Sequence, residues 1–575
     1  LVLAIGLVVD DAIIVVENVD RHMKEGKSPF ESSILAAREL GMPILAMTVV
    51  LIAVYIPIGF QGGLTGALFS EFAFTLAGAV AVSGIVALTL SPMMCARFLK
   101  HDESPGKFAL KIESVFNRVE SQYQKSLTSV LSTWQVMIVM GALLLVAVVY
   151  LFMTSKAELA PIEDQGIVLM QASGPPNATV NQMQTYADQI HEMSSKEPEY
   201  QQMFQITSPT SSFGGVILKD WDERKKNATK FQQEMQAKWN TIAGARVAAF
   251  QFPALPGAQG LPVQVVIKTT ESYENLNDVS QSVLDQLRRS GMFFFIDTDL
   301  KINKPQDVLE INREKLAALG MTAQDLGVEL SAAMGGGFVN YFSVAGRSYR
   351  VIPQVLQTDR LNSDQILNQT IRTPKGELVQ VRNFAQIERR VVPSAINHFQ
   401  QLNSATISGV STPFVSEAEV LGFIAKTLKE VAPNGYSIDY AGPSRQFVSE
   451  SGGFVQTMIF AIIIIFLILA AQFESFRDPL VILVSVPMAI FGALIFINLG
   501  LTSINVYTQV GIVTLMGLIS KHGILIVEFA NHLQAQGRTK LEAIIEASSV
   551  RLRPILMTTA AMVFGVVPLV IATGA

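Results

Sequence analysis

Residues 1–18 read LVLAIGLVVDDAIIVVEN, an apolar run broken in its middle by Asp10 and Asp11 and closed by Glu17 and Asn18. A charged side chain at the centre of a membrane helix costs about 2.5–3.5 kcal/mol on insertion scales, so two in succession call for a partner inside the bilayer. The same chain supplies one. Residues 517–529 read GLISKHGILIVEF, and sliding the sequence by 511 positions lays Gly6-Leu7 on Gly517-Leu518 and Val16-Glu17 on Val527-Glu528 without a gap. That shift also brings Gly26 onto Gly537, Ala36 onto Ala547, Pro43-Ile44-Leu45 onto Pro554-Ile555-Leu556 and Pro57 onto Pro568. It carries Asp10 onto Lys521. One helical unit therefore occurs twice, with an acid in one copy where the other has a base.

Composition agrees with a membrane protein. Of the 575 residues 50% are hydrophobic and only 16% charged, where soluble domains carry about 25% charge. The excess lies in two blocks, 1–154 and 454–575, around a stretch of ordinary globular composition. A membrane core needs roughly 20 apolar residues of helix, and eight stretches meet or approach this: 1–17, 43–60, 71–97, 134–154, 454–473, 479–498, 504–530 and 553–573. The chain opens inside an apolar run and stops just after another, a pattern expected of truncation at both ends. A net charge of −5 gives no support for a nucleic-acid partner. Cys95 is the single cysteine, so no intrachain disulfide is possible.

Cations set the orientation. Arg21, Lys24, Lys27 and Arg38 lie in 18–42, a second group in 98–133, and Arg538, Lys540 and Arg551 in 531–552, while 61–70 and 499–503 have none. By the positive-inside rule the first set faces the cytoplasm, which puts 155–453 on the opposite side. Segment 107–131 has a helical apolar stripe and reads as a helix lying on the cytoplasmic membrane face. Between the blocks, strand-like runs such as 166–172, 201–207, 246–252, 263–269, 292–299 and 436–441 alternate with helical ones, the pattern of βαβ subdomains. The triplet Gly335-Gly336-Gly337 reads as a turn.

The charged trio suits proton exchange. Two crowded carboxylates cannot both stay ionised without cost, and Lys521 stabilises one of them. Proton uptake would release Lys521 to other partners and alter helix packing, the two-state element that transport requires. A purely structural pair needs one acid, and buried ion pairs stabilise less than apolar packing. Arg551 and Thr558, in RLRPILMTT at 551–559, extend the polar cluster. Glu17 and Glu528 occupy equivalent helix ends suited to snorkelling. His522 adjoins Lys521 but points about 100° away on a helix. No phosphate loop GxxxxGK[ST], no nucleophile elbow GxSxG and no metal-ligand spacing among the six histidines is present, so an ion gradient is the expected energy source.

The segments GLVVDDAIIVVENV (6–19), GLISKHGILIVEFA (517–530) and RLRPILMTT closely resemble the resistance-nodulation-division exporters, in their hydrophobe and amphiphile branch, in the right order over more than 500 residues. The resemblance implies a secondary active transporter, not an enzyme. It would need no cofactor and would use the proton gradient to expel drugs and other amphiphilic compounds. Its fold would be a multi-pass α-helical membrane protein with a large periplasmic α+β insertion of ferredoxin-like porter subdomains. By that reading 1–154 holds helices of the first repeat, 155–299 porter subdomains, 300–390 a docking-like subdomain, 391–453 the remaining porter and 454–575 the second repeat. The relay positions carry over onto Asp10, Asp11, Lys521, Arg551 and Thr558. The implied setting is the inner membrane of a Gram-negative bacterium, as a homotrimer with a periplasmic adaptor and an outer-membrane channel.

Relatives bind substrate in a Phe-lined pocket, part of it in a loop before a KDW motif. Here KDW is Lys219-Asp220-Trp221, the preceding loop is short, and Phe204, Phe213 and Val216 are the candidates. Two alternatives stand beside this reading. A heavy-metal exporter of the same superfamily would need clustered Met or Cys ligands, whereas Met170, Met183, Met193 and Met203 are spread out. A non-pumping membrane scaffold or sensor would not need the acids to titrate.

Overall fold

The computed structural model describes residues 2–99 and 107–570. Among them seven helices are long and apolar enough to cross a membrane, and the aspartate-bearing α1 (Val2–Lys24) packs with them. In the first block these are α2 (Pro29–Gly59), α3 (Gly63–Phe98) and, after α4 (Lys107–Ser132), α5 (Trp134–Thr154). The second block holds Gly442–Phe473, Arg477–Asn498, Val506–Ala535 and Lys540–Pro568.

The helices are longer than the hydrophobic windows. Segment 18–42, read as a loop, is helical except for residues 25–28, and 531–552 is helical except for 536–539. Hydropathy marks only the membrane-embedded part of a helix, and its end in water is set by capping. At the start of α2 the Ser28 hydroxyl accepts the Glu31 N–H at 3.3 Å while the Glu31 carboxylate takes the Ser28 N–H at 3.4 Å, a reciprocal box that satisfies two helix-end donors.

The repeat extends to conformation and packing. Gly26 and Gly537 turn the two equivalent connections at φ +92° and +95°, a region that costs other residues a Cβ clash. A Cβ on Gly6 would meet Met562 Cα at 3.8 Å, and one on Gly565 would meet Gly6 Cα at 3.7 Å. Gly517 packs on Leu51 and Val54, the positions that the 511-residue shift carries onto Met562 and Gly565. Each repeat thus closes its first helix on the second helix of its twin, with glycine allowing the approach. Helix α4 stands outside this bundle, leaving Leu110, Val115 and Val119 exposed, and Arg553 lies 5.4 Å over its Phe116 ring.

Two sheets of one topology make up most of the soluble block. Strands β1 (Ile167–Ser173), β2 (Tyr200–Thr207), β3 (Ser211–Leu218) and β4 (Arg246–Phe250) lie in the antiparallel order β2-β3-β1-β4. Helices Val180–Ser195 and Ala228–Trp239 pack on one face through Met170, Ile190, Phe231 and Trp239, all fully buried. This is the ferredoxin-like βαββαβ arrangement. The second sheet repeats it: β5 (Val263–Thr269), helix Tyr273–Arg289 and β6 (Phe293–Thr298), then strand Leu402–Ser411 pairing with both, helix Glu417–Val431, and strand Tyr436–Tyr440 on the far side of β5.

Where the first sheet joins its second and third strands by a tight turn, the second has an insertion. It leaves along β7 (Ile302–Ile311) and returns along Ala385–Pro393, two paired antiparallel strands. A small core of Leu316, Met321, Leu326, Ile371 and Phe384 holds it together. From it projects a hairpin, Asn340–Val344 with Arg347–Val351, exposed at every residue, with Phe342 stacked on Tyr349 at 5.6 Å. Gly335 ends the preceding helix in the left-handed region, as a turn-forming glycine should.

Asp164 fastens the entrance to the first sheet. Its Oδ1 accepts from Gly166 N–H at 3.0 Å and from Arg224 at 2.7 Å, its Oδ2 accepts the Ala228 N–H at 2.8 Å, and its backbone carbonyl takes the Trp221 indole N–H at 3.1 Å. Burial alone would raise the Asp164 carboxyl, but Arg224 and the two backbone N–H groups outweigh it and hold the carboxyl below its ordinary range. The Arg224 side chain is only 2% exposed, so removing its counter-ion leaves a stranded charge, a loss of about 3–5 kcal/mol. We predict that Asp164→Ala in the intact protein lowers hydrogen-exchange protection across β1–β4 by that amount and leaves the membrane helices protected. Because the folded carboxyl is depressed, the contribution is complete above the ordinary Asp range and fades as pH falls through the lowered value; exchange measured along an acid series checks the sign.

Candidate functional site

Helix α1 and helix Val506–Ala535 bring their charges together in the interior of the bundle. Asp10, Asp11 and Lys521 are 2%, 3% and 2% exposed. The Lys521 ammonium stands 2.8 Å from Asp10 Oδ2 and also donates to Asp11 Oδ1. From α3, the Ser83 hydroxyl donates to Asp11 Oδ2 at 2.8 Å. Consecutive residues on a helix diverge by about 100°, so one ammonium reaches both acids only by sitting between their directions. The other Asp10 oxygen, Oδ1, is buried with no hydrogen-bond partner among the described residues. Two carboxylates thus share one ammonium and one hydroxyl, and an acceptor is left open for a proton.

The remaining two expected relay residues lie elsewhere. Thr558 is 1% exposed; its hydroxyl donates to the Ile555 carbonyl at 3.1 Å and lies 3.4 Å from His522 Nε2. Its side-chain neighbour is thus His522, next to Lys521 in sequence, which sequence reasoning sets aside because it points away. Arg551, seven residues from Thr558, is on the same helix face about 10 Å further along. There it covers the Phe529 ring at 5.0 Å, with Arg21 at 5.8 Å over the same ring, and it interacts electrostatically with Glu17 and Glu528. Glu17 and Glu528 are thus within electrostatic range of Arg551 but form no ion pair with it among the described residues. Nearby, Glu39 Oε2 accepts from Arg21 at 2.9 Å and from Asn18 at 3.2 Å and lies 3.0 Å from His22 Nε2.

In the first sheet, Phe204 and Phe213 pack edge to face at 6.3 Å. The Phe204 ring lies across Gly215, where a Cβ would approach it to 2.8 Å. Phe213 lines a cavity of about 400 Å³ with Leu169, Gln171, Phe250 and Phe252. Val216 does not join them. Side chains alternate along a strand, and Val216 faces the opposite way, fully buried under the two helices, so it is a packing residue. Among the described residues no group of three or more His, Cys, Asp and Glu is placed to hold a metal ion. Met170 fills the core under the helices, with Met193 and Met203 packed against it, and Met183 is fully buried beside Gly174.

The sequence profile of the AcrB/AcrD/AcrF family matches residues 1–575. An uncharacterized transporter of Haemophilus influenzae is 39% identical over 586 residues, covering 100% of this chain and 57% of that protein. The multidrug/solvent efflux pump membrane transporter MepB of Pseudomonas putida is 32% identical over 596 residues, with the same 100% and 57% coverage. The multidrug export protein AcrF of Escherichia coli is 31% identical over 598 residues, covering 100% of this chain and 58% of that protein. The chain thus spans a little over half the length of these relatives. With its duplicated helical unit and its sheet-rich soluble domain, this multi-pass membrane chain belongs to the AcrB/AcrD/AcrF family of resistance-nodulation-division transporters.

Proposed function

We propose that the chain forms part of a pump that expels drugs and other amphiphilic compounds in exchange for protons, with Asp10, Asp11 and Lys521 as the exchanging group. The observation that carries this is one buried ammonium shared by two buried carboxylates, one of which keeps an open oxygen. Protonating that oxygen removes half of the attraction holding Lys521, and His522 with Thr558 on the neighbouring helix offers the next polar contact. One proton crossing a 100 mV potential releases about 2.3 kcal/mol, enough to shift a two-state equilibrium by more than tenfold. No cofactor is needed. Arg551, with Glu17 and Glu528, forms the next charged layer, a route for the proton to leave on the side rich in Lys and Arg.

A link from the exchanging helix to the soluble block supports coupling. The connector after α5 is zipped to the start of helix Val506–Ala535: Ile504 N–H donates to Lys156 O at 2.8 Å, Glu158 N–H to Ile504 O at 3.1 Å and Val506 N–H to Leu159 O at 3.1 Å. A shift of the Lys521 helix therefore pulls on the strand leading into β1. Export of organic compounds is favoured over metal export because the soluble-block methionines named above are occupied in packing, and because the relatives named for a substrate handle drugs or solvents. By the same reasoning the setting is the inner membrane of a Gram-negative cell, with an adaptor and an outer-membrane channel completing the path. The projecting hairpin, with Phe342, Val344 and Val351 uncovered, suits insertion into a neighbouring copy, in keeping with a homotrimer.

Breaking a buried pair from one side costs about 3–5 kcal/mol. Asp11→Asn or Lys521→Met in the intact protein should therefore reduce drug export to background at normal expression, read as intracellular dye accumulation; wild-type export by either variant would refute the exchange role. Ser83→Ala removes one hydrogen bond worth about 1 kcal/mol, so it should slow export several-fold and displace its pH dependence. In wild-type cells a protonophore should raise accumulation to the level of cells lacking the pump, and unchanged accumulation would rule out gradient-driven export.

A further inference from the structure

Below the two sheets, where the connector leaves α5, lies a second cavity of about 300 Å³, the lower end of the size range of small-molecule sites. Its walls include Leu159, Ile162, Phe252, Phe294, Val410 and Val415. Glu417, in the first turn of helix Glu417–Val431, also lines it, with Oε1 buried and without a hydrogen-bond partner among the described residues. The other charged groups nearby are accounted for. Glu158 accepts the Ser503 hydroxyl, and Lys156 turns its ammonium to the Phe414 carbonyl at 3.1 Å. Glu158 is the only other ionisable residue of the lining. The helix does not require this acid: Ser416 and Glu419 form its capping box.

We propose that this cavity binds the positively charged group of an amphiphilic cation, with the Glu417 carboxylate as its counter-ion and the apolar walls taking its hydrocarbon part. An unpaired carboxylate in an apolar cavity is costly, and a cationic guest relieves that cost where a neutral one cannot. Burial pushes the Glu417 carboxyl up to about 8, with the Leu159 N–H opposing and the Glu158 charge adding to the rise. The empty site therefore holds a proton at neutral pH, and an arriving cation displaces it. Affinity for a cation rises with pH, by up to roughly tenfold per unit below pH 8, and levels off above it. Affinity for a neutral amphiphile is flat.

The proposal rests on the export reading, and the two can fail separately. Binding is measured on the intact protein in lipid nanodiscs by fluorescence polarisation, with rhodamine 6G as the cation and Nile red as the neutral probe, from pH 6 to 9. Glu417→Gln should weaken rhodamine 6G by roughly tenfold or more at pH 8 and abolish its pH slope, with Nile red unchanged. Ile162→Lys places a competing cation at the mouth of the cavity, where the side chain is 54% exposed, and should selectively weaken rhodamine 6G. A wild-type protein without the slope, or a Glu417→Gln protein that keeps it, overturns the proposal. If Glu417→Gln loses both probes, Ile162→Lys decides: selective loss of rhodamine 6G supports the site, and unaltered binding overturns it. Wild-type cells that export neither dye refute the export reading whatever the binding shows.

Discussion

Lipid supplies neither water nor counter-ions, so the place of Lys521 between Asp10 and Asp11 constrains everything around it. The ammonium and the acids come from different repeats, and neither half can bury its charges without the other. The close glycine contacts of Gly6 on Met562 and Gly565, and of Gly517 on Leu51 and Val54, bring the backbones near enough for the side chains to meet. Packing and charge therefore depend on each other in holding the two repeats together.

Duplication explains how such a site arises. Two copies related by a pseudo-twofold axis place equivalent positions opposite one another, and a site on that axis can hold complementary residues once the copies diverge. The soluble block repeats the theme with two βαββαβ sheets, of which the second accommodates an insertion between paired strands. β7 and Ala385–Pro393 leave and return side by side, and Leu402–Ser411 still pairs with both β5 and β6.

The membrane site was readable in the sequence because burying a charge is so costly that the exception stands out, and because the repeat offset pointed from Asp10 to Lys521. Ser83 escaped notice: a serine in an apolar helix satisfies itself locally in most cases, and nothing in the pattern says that it faces a carboxylate. His522 was set aside by the 100° rule, which is correct for its direction relative to Lys521 but silent about Thr558 on another helix. In the soluble block β3 and Leu402–Ser411 are hard to read as strands because Gly214-Gly215 and Ser404, Ser408 and Gly409 depress the strand signal. Those glycines serve the packing, Gly215 by leaving room for the Phe204 ring and Gly409 by lying against the Phe295 carbonyl. Val216 was misjudged because proximity along the chain cannot tell the two faces of a strand apart without the register.

The joint between the connector and the start of the Lys521 helix is made largely by main-chain groups, at Lys156, Glu158, Leu159, Ile504 and Val506. Every residue carries a backbone carbonyl and every residue but proline an N–H donor, so this joint is nearly indifferent to side-chain identity. Side chains at these positions can therefore change while the joint between the membrane helix and the segment leading into β1 persists.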